Sequence, residues 1–134
     1  NSRARLRMTT LYQVAAANKG IVVGTGNKVE DFGVGFYTKY GDGGVDISPI
    51  ADCNKTDVWE LGNELGILKE IIDAPPTDGL WDDGRTDEGQ LGFKYSELED
   101  AMGNPNSPHR EQYEKIRNQN LHKMEPIPVC KIPS

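Results

Sequence analysis

The sequence contains little material for a large hydrophobic core. Only 36% of its 134 residues are apolar, whereas 15 glycines and 8 prolines favour loops over regular elements. No stretch approaches the ~20 consecutive apolar residues of a membrane-spanning helix. A chain of this length suits one domain with one core, so we expect residues 1–134 to belong to a single domain. We also expect a soluble, cytoplasmic protein.

Positive charge and cysteine are also scarce. The formal net charge is -6 at pH 7, which leaves no broad basic face for a nucleic acid or a membrane surface. Cys53 and Cys130 are the two cysteines, and there is no CxxC motif or histidine pair at metal-ligand spacing. We therefore expect two reduced thiols and a partner smaller than a macromolecule.

Apolar periodicity predicts helices in both halves of the chain. The pattern over residues 3–18 is helical, and Gly20 supplies its expected C′ residue. A second helix is predicted over residues 55–65, with Asn54 as its N-cap and Val58, Leu61 and Leu65 facing inward. The opening residues contain no initiator methionine or signal sequence and run directly into the first helix, so we expect an upstream segment.

Two more helices are predicted near the carboxyl end. Ser96 and Glu99 have the spacing of a capping box for a short helix over residues 96–102. Residues 107–124 form a longer helical pattern with Pro108 near its start. The intervening segment 74–92 has adjacent prolines and many acids, which predicts a loop throughout.

A short β-branched run, "IVVGT" at residues 21–25, predicts a buried strand that enters a loop. Residues 45–50 form a second short strand or an extended loop. A helix followed by a buried strand and a glycine-rich turn is half of a parallel βαβ unit. One confident strand cannot close a parallel sheet, so the sequence predicts an incomplete α/β fold whose other strands lie in a segment not present here.

The glycine-rich segment 24–44, "GTGNKVEDFGVGFYTKYGDGG", is the first candidate for binding chemistry. Ligands of open α/β sheets bind beyond the carboxyl ends of the strands, where glycines let main-chain amides approach them. The Thr25 hydroxyl can donate to a phosphate, and Glu30 supplies a hard oxygen ligand suited to Mg²⁺. The motif is neither GxGxxG nor a P-loop, so a simple strand-to-helix turn remains an equal alternative.

Other charged residues have both a binding and a plain structural interpretation. Lys39, Asp42 and Asp46 suit the phosphates and sugars of a nucleotide, but they also suit a solvated loop. Lys55 begins a helix, where a bound anion would offset the unfavourable position of its charge. His122 and Lys123 end the last helix, where cations complement the helix dipole.

Three arginines, Arg3, Arg5 and Arg7, open the first helix. Because they are spaced by two residues, we expect that they do not share one face. Any one of them can bind a carboxylate or a phosphate through two hydrogen bonds, while the others pair with acids or face water.

Five separated motifs together resemble the carboxyl-terminal half of an NAD⁺ synthetase. They are "ARLRM", "GTGNKVEDFGVGFYTKYGDGG", "DISPIADCNKTDV", "APPTDGLWDDGRTDEGQLGFKYSELED" and "LHKMEPIP", in the order of the family and across nearly the whole chain. The resemblance implies a Rossmann-like, adenine nucleotide alpha hydrolase-like fold, a homodimer, and residues 1–134 as the carboxyl-terminal portion of one domain. It implies a ligase that adenylates the nicotinate carboxylate of deamido-NAD⁺ with ATP and then lets ammonia displace AMP.

The resemblance also assigns roles to individual residues. It implies that Thr25, Lys55 and Thr77 contact ATP and that Glu30 holds Mg²⁺. It places deamido-NAD⁺ against the following residues: Arg5, Lys39, Asp46, His122 and Lys123. A catalytic role for Asp46, holding ammonium or accepting its proton, is a hypothesis that follows from the same assignment.

Two alternatives stay open. The Ser-Gly-Gly-x-Asp-Ser pyrophosphate loop of the family is absent from these residues, so we expect the segment alone to be inactive and the loop to lie upstream. The same absence permits a non-catalytic nucleotide-binding or dimerisation fragment. Another ATP pyrophosphatase, which would adenylate a different acid, is the second alternative. Ammonia and glutamine both remain possible nitrogen sources.

Overall fold

The structure of residues 1–133, a computed structural model, consists of helices joined by long irregular segments. The α-helices are α1 (Ser2–Ala17), α2 (Lys55–Glu64), α3 (Lys69–Ile72), α4 (Asp87–Leu91), α5 (Tyr95–Gly103) and α6 (Arg110–Met124), with a π-helical turn at Val29–Val34 between α1 and α2. No helix in residues 1–133 has the length and apolar character needed to cross a membrane.

The hydrophobic core lies where α5 and α6 pack against the π-helical turn. Its buried members are Val29, Val34, Phe93, Tyr95, Leu98, Ala101 and Tyr113. Hydrogen bonds tie the same elements together: the Arg117 guanidinium donates to the carbonyl of Phe32, and that of Arg110 donates to the carbonyl of Ala101 at 2.8 Å. The core therefore fixes the position of the glycine-rich segment relative to α5 and α6.

Two extended segments meet in one parallel bridge between Val23 and Ile47. The Gly24 amide donates to the carbonyl of Ile47 at 2.7 Å, and the Asp46 amide donates to that of Val22 at 2.9 Å. Val22 and Gly24 are buried, but Ile21 and Val23 are 59% and 52% exposed, so the prediction of a buried strand holds for only one side of the segment. Residues 1–133 form no larger sheet, and the predicted parallel sheet is not confirmed by them.

The long helices and the Asn54 N-cap of α2 are confirmed, but two inward-facing residues and one C-terminal cap were predicted wrongly. α1, α2 and α6 match the predicted spans to within a few residues. Leu61 and Leu65, expected to face inward, are 44% and 75% exposed. At the end of α1 the left-handed residue is Lys19, with φ of 54°, so the expectation of Gly20 at C′ was wrong.

The predictions for segment 74–92 and for the cap of α5 were wrong in part. α4 lies within the segment expected to be loop throughout, and Thr86 caps it by accepting the amide of Gly89 at 3.1 Å. The cap of α5 is formed by Glu97, which accepts the Lys94 amide at 2.8 Å. The Glu99 carboxylate instead accepts the amide and the hydroxyl of Thr56, at 3.1 and 2.9 Å, in the first turn of α2.

Candidate functional site

An ion pair between Glu30 and Lys55 joins the glycine-rich segment to the start of α2. Glu30 Oε1 lies 3.6 Å from Lys55 Nζ, and only 16% and 18% of the two side chains are exposed. Glu30 lies in the first turn of the π-helical turn, and Lys55 is the first residue of α2. Two residues predicted separately for metal and ATP are therefore neighbours in the fold.

Tyr95 and Asp87 lie behind this ion pair. The Tyr95 hydroxyl donates to Glu30 Oε1 at 2.5 Å and lies 3.5 Å from Asp87 Oδ2. Lys55 Nζ stands 5.1 Å from the centroid of the Tyr95 ring. Tyr95 is 1% exposed and Asp87 is 7% exposed, so the ion pair rests on buried polar groups.

Asp87 has an unusual electrostatic environment. Burial raises the pKa of its carboxyl to about 6, and the charges of Glu30 and Asp78 add to the increase, while Lys55 and the Tyr95 hydroxyl oppose it. In residues 1–133, its Oδ1 is the single buried side-chain oxygen or nitrogen that has no hydrogen-bond partner. Such an atom costs free energy unless a further partner reaches it.

Thr77 connects the ion pair to a second cavity. A cavity of about 240 Å³ is lined by Glu30, Lys55, Thr77 and Asp87, among others. A neighbouring cavity of about 360 Å³ lies between α1 and the segment after Thr77, and Thr25 lines it together with Thr77. The three residues predicted to bind ATP and the one predicted to bind Mg²⁺ thus border two adjoining cavities.

Most of the residues predicted to contact deamido-NAD⁺ lie near the end of α6. Lys39 Nζ donates to the carbonyl of His122 at 2.7 Å, and Arg5 Nε donates to the carbonyl of Lys39 at 3.2 Å. Lys39 and Lys123 line a cavity of about 330 Å³ that also includes Asp31 and Asp42. In this arrangement His122 contributes its main-chain carbonyl.

Lys123 is held by main-chain carbonyls rather than by an acid. Its Nζ donates to Gly35 and Tyr37 at 2.8 and 2.7 Å, and the Tyr37 hydroxyl donates to the Lys123 carbonyl at 2.5 Å. Burial lowers the pKa of the Lys123 ammonium, and the charge of Asp42 opposes that shift. Within residues 1–133 these two carbonyls use two of the three N–H donors of the ammonium.

Asp46 lies apart from this group. Its Oδ2 accepts the Val22 amide at 2.8 Å, and its Oδ1 accepts the Tyr12 hydroxyl at 3.3 Å. Asp46 is not among the residues that line the cavity of Lys39 and Lys123. Its carboxylate supports the parallel bridge between the two extended segments and connects that bridge to α1.

The segment after Thr77 is held by two arginines of α1. Arg3 donates to the carbonyl of Leu80 at 2.8 Å, and Arg7 donates to that of Gly79 at 2.9 Å. Arg3 and Arg7 are one helical turn apart, so the expectation that the arginines do not share a face was wrong for this pair. Within the segment, Arg85 pairs with Asp83 and lies 4.1 Å from the centroid of the Trp81 ring.

Glycine is required where the main chain approaches Asp31 and α6. A Cβ at Gly26 would lie 2.3 Å from Asp31 Oδ1, and a Cβ at Gly35 would lie 2.5 Å from the Cβ of Asn120. Gly35 also has a φ of 69°, which side chains disfavour. Burial and the charges of Glu30 and Asp42 raise the pKa of the Asp31 carboxyl to about 6.

The carboxylates near Lys55 fit a magnesium site that is completed by a substrate. Residues 1–133 contain no group of three or more His, Cys, Asp or Glu side chains arranged to hold a metal ion by themselves. Mg²⁺ commonly uses only one or two carboxylates, together with phosphate oxygens and water. Glu30 supplies such a carboxylate at the edge of the cavity, and the unpartnered oxygen of Asp87 lies in the same acidic environment.

The sequence analysis missed Asp78, Asp87 and Tyr95 as site residues. Asp87 follows the helix-capping Thr86, and Tyr95 lies at the start of α5, so both resemble ordinary structural residues in the sequence. A buried tyrosine needs a partner for its hydroxyl, and that rule is the one signal that could have drawn attention to Tyr95.

Comparisons with known proteins identify the family of this chain. The family model described as NAD synthase matches residues 1–132. An NH(3)-dependent NAD(+) synthetase of Carboxydothermus hydrogenoformans is 50% identical over 99 residues, which are 74% of this chain and 40% of that protein. One of Alkaliphilus oremlandii is 42% identical over 134 residues, or 98% of this chain and 53% of that protein.

Two solved structures are similar to this chain in fold. The structure of NMN synthetase from Francisella tularensis matches with a TM-score of 0.89 and 38% identity, over 98% of this chain and 55% of that one. An NH3-dependent NAD synthetase from Campylobacter jejuni matches with a TM-score of 0.68 and 24% identity, over 96% and 53%. This chain therefore spans about half the length of these relatives. With a family model matched over nearly all of its residues, the chain belongs to the NAD synthase family.

Proposed function

We propose that this chain forms the carboxyl-terminal part of an NH₃-dependent NAD⁺ synthetase. In the proposed reaction ATP adenylates the nicotinate carboxylate of deamido-NAD⁺, pyrophosphate leaves, and ammonia displaces AMP to give the amide. The names of the relatives support ammonia, rather than glutamine, as the nitrogen source. The observation that carries the proposal is that Glu30, Lys55 and Thr77, far apart in the sequence, line one cavity.

ATP is proposed to bind across the two adjoining cavities. Lys55 would move partly away from its ion pair with Glu30 and donate a hydrogen bond to a phosphate. That phosphate would lie at the amino terminus of α2, where main-chain amides also favour an anion. Thr25 and Thr77 would donate hydroxyl hydrogen bonds from the walls of the larger cavity. Glu30 would hold Mg²⁺, which when bound neutralises charge on the departing pyrophosphate.

Deamido-NAD⁺ is proposed to bind along Arg5, Lys39 and Lys123. The Arg5 and Lys39 side chains are partly committed to main-chain carbonyls, so their positions are already fixed before a ligand arrives. His122, an exposed residue beside Lys123, would contact the same ligand. Asp46 would contact deamido-NAD⁺ and hold ammonium or accept its proton.

Catalysis in this proposal depends on positioning and electrostatics rather than on a nucleophilic side chain. A carboxylate is a poor electrophile, and adenylation gives it a leaving group. Lys55 would balance the charge that develops on the phosphates, while the segment 79–90 would cover the site from water. The protein is proposed to act as a cytoplasmic homodimer, and its pyrophosphate loop would be supplied by residues outside 1–134.

A second substrate is favoured by one comparison. The Francisella tularensis structure that matches with a TM-score of 0.89 is that of an NMN synthetase. Nicotinate mononucleotide offers the same carboxylate with one nucleotide fewer. The reaction type, and the proposed roles of Glu30 and Lys55, are the same for both acceptors.

The proposal is tested with the protein expressed from its complete gene. Purified protein is incubated with ATP, Mg²⁺, ammonium and either deamido-NAD⁺ or nicotinate mononucleotide, and the amide product and pyrophosphate are quantified. We expect NAD⁺ and pyrophosphate in equal amounts with deamido-NAD⁺. Faster turnover of the mononucleotide would favour the second substrate, and pyrophosphate release without an amide would contradict both.

A variant links this activity to the cavity. Lys55→Met removes the charge proposed to contact a phosphate, and we expect a loss of ATP affinity of about ten- to a hundredfold. Lys28→Met is the matched control, because Lys28 pairs with the exposed Asp52 at 3.0 Å and lines none of the cavities described above. Calorimetric titration with ATP measures the affinity of each variant. Equal losses in the two variants would contradict the assignment.

A further inference from the structure

The buried Tyr95 hydroxyl is a group that the proposed reaction does not use. Tyr95 belongs to the hydrophobic core, and its ring packs edge-to-face on Trp59 with centroids 6.4 Å apart. A phenylalanine would fill the same space, and a buried hydroxyl costs free energy unless it is hydrogen-bonded. The hydroxyl of Tyr95 therefore has a role that core packing alone does not explain.

Its partners are the acids of the candidate site. The hydroxyl lies 2.5 Å from Glu30 Oε1 and 3.5 Å from Asp87 Oδ2, and so stands between two carboxylates that belong to different elements. Burial and the charges of Glu30 and Asp87 raise the pKa of the tyrosine well above its ordinary value. The hydroxyl thus keeps its proton and donates a hydrogen bond to Glu30.

The main chain of Tyr95 is fixed as well. Its amide donates to Glu88 Oε1 at 3.0 Å, which links the start of α5 to α4, the helix that carries Asp87. The residue is 1% exposed, and Lys55 Nζ lies 5.1 Å from the ring centroid. One rigid side chain therefore contacts Glu30 by its hydroxyl and Lys55 by its ring.

We propose that Tyr95 is a positioning residue, which holds the Glu30 carboxylate and the Lys55 ammonium at the geometry that a metal–nucleotide ligand requires. Partners of a ligating carboxylate fix its orientation, and loss of such a partner typically reduces metal affinity by about 10- to 100-fold. The inference rests on the proposed function, because it takes Glu30 and Lys55 as the groups that meet the metal and the phosphates.

The test removes one oxygen atom. Tyr95→Phe keeps the ring against Trp59 and Lys55 and deletes the hydroxyl, in the protein expressed from its complete gene. Mn²⁺ with a non-hydrolysable ATP analogue is the probe, and bound Mn²⁺ is measured by electron paramagnetic resonance. We expect Mn²⁺ affinity in the ternary complex to fall about tenfold.

Tyr113→Phe is the matched control. Tyr113 is 5% exposed in the same core, and it lines a cavity with Arg110 and Arg117 that includes neither Glu30 nor Asp87. We expect this variant to bind Mn²⁺ and the analogue as the unaltered protein does. Thermal unfolding of both variants separates a loss of packing from a loss of positioning.

A double variant tests whether Tyr95 acts through Glu30. Glu30→Gln alone should weaken Mn²⁺ binding strongly, and adding Tyr95→Phe to it should have little further effect, because the hydroxyl then has no carboxylate to orient. Independent, multiplicative losses would overturn the inference, as would a Tyr95→Phe protein with unchanged Mn²⁺ affinity. If the unaltered protein binds no Mn²⁺–nucleotide complex, the proposed function fails and the inference fails with it.

Discussion

At the scale of single residues, Asp87 combines burial with like-charged neighbours. Asp87 is 7% exposed. Burial and the charges of Glu30 and Asp78 raise the pKa of its carboxyl to about 6, although Lys55 and the Tyr95 hydroxyl oppose the increase. The unfolded chain titrates near the ordinary value of about 3.9. Between about pH 4 and pH 6 the folded protein therefore holds a proton that the unfolded protein has released, and the free energy of unfolding falls as the pH rises through this window.

Asp87→Asn should abolish this fall in the free energy of unfolding with rising pH. The variant and the unaltered protein should have similar stability near pH 4, and the variant should be more stable by about 1 to 2 kcal/mol at pH 7. The gain is smaller than a shift of two pKa units would give in full, because the carboxylate borders a cavity where water screens it. Denaturant unfolding of both proteins at several pH values between 4 and 8 measures the difference.

Asp83→Asn provides a control of opposite sign. Hydrogen bonds from Arg85 lower the pKa of the exposed Asp83 carboxyl to about 2, so its stabilising effect is present above the unfolded value and is lost as the pH falls toward 2. This variant should lose, not gain, stability near neutral pH. A stability gain in Asp83→Asn, or none in Asp87→Asn, would contradict the electrostatic account.

At the scale of elements, α1 and the segment after Thr77 act as a pair. The arginines at positions 3 and 7 each hold a main-chain carbonyl of that segment, and Thr77 lies at its start beside two cavities. The sequence predicted the helix and the loop segment separately. It did not predict their contact, because arginine hydrogen bonds to a distant main chain leave no pattern in the sequence.

Loss of this contact should free the segment. In the double variant Arg3→Ala and Arg7→Ala, trypsin should cleave after Arg85 about five- to thirtyfold faster, because two hydrogen bonds of about 0.5 to 1 kcal/mol each are lost. Gln13→Ala is the control, since it changes an exposed position of α1 away from the segment. Mass spectrometry of timed digests follows the cut. Unchanged cleavage after Arg85 would show that the arginines do not restrain the segment.

Capping shows how elements compete for the same residue. Ser96 and Glu99 have capping-box spacing, but Glu97 caps α5 and Glu99 accepts two hydrogen bonds from Thr56 in α2. A sequence pattern identifies residues that are able to cap a helix. Which helix they cap depends on which amino terminus lies nearest once the chain is folded.

At the scale of the whole molecule, much apolar surface stays exposed. Leu6, Leu11 and Val14 of α1 are 68%, 56% and 53% exposed, and α1 buries only Ala4 fully. Large apolar side chains exposed along one helix promote association. The predicted amphipathic character of α1 is thus present in the sequence, but residues 1–133 cover little of its apolar face.

We expect the chain of 134 residues to self-associate through this face in isolation. Leu6→Gln with Leu11→Gln should shift sedimentation-velocity profiles toward the monomer at tens of micromolar, with little change in thermal unfolding because both side chains are exposed. Val129→Gln, 77% exposed in the carboxyl-terminal tail, is the control and should change neither. An unaltered chain that is monomeric at the same concentration would contradict this expectation.

The sequence by itself determined the long helices and the candidate binding residues. α1, α2 and α6 follow from local periodicity and terminal signals, which neighbouring residues carry. Thr25, Glu30, Lys55 and Thr77 were identified from motifs. Their roles stay predictions, although the structure places all four around two adjoining cavities.

Only the tertiary structure decided how these residues are supported. In the fold, the hydroxyl of Tyr95 lies between Glu30 and Asp87. Arg3 and Arg7 bind the segment after Thr77. The carboxylate of Asp46 accepts a hydrogen bond from the Val22 amide. The physical reason is that periodicity and capping depend on residues within a few positions. The environment of a buried hydroxyl or carboxylate instead depends on groups that only folding brings within hydrogen-bond distance.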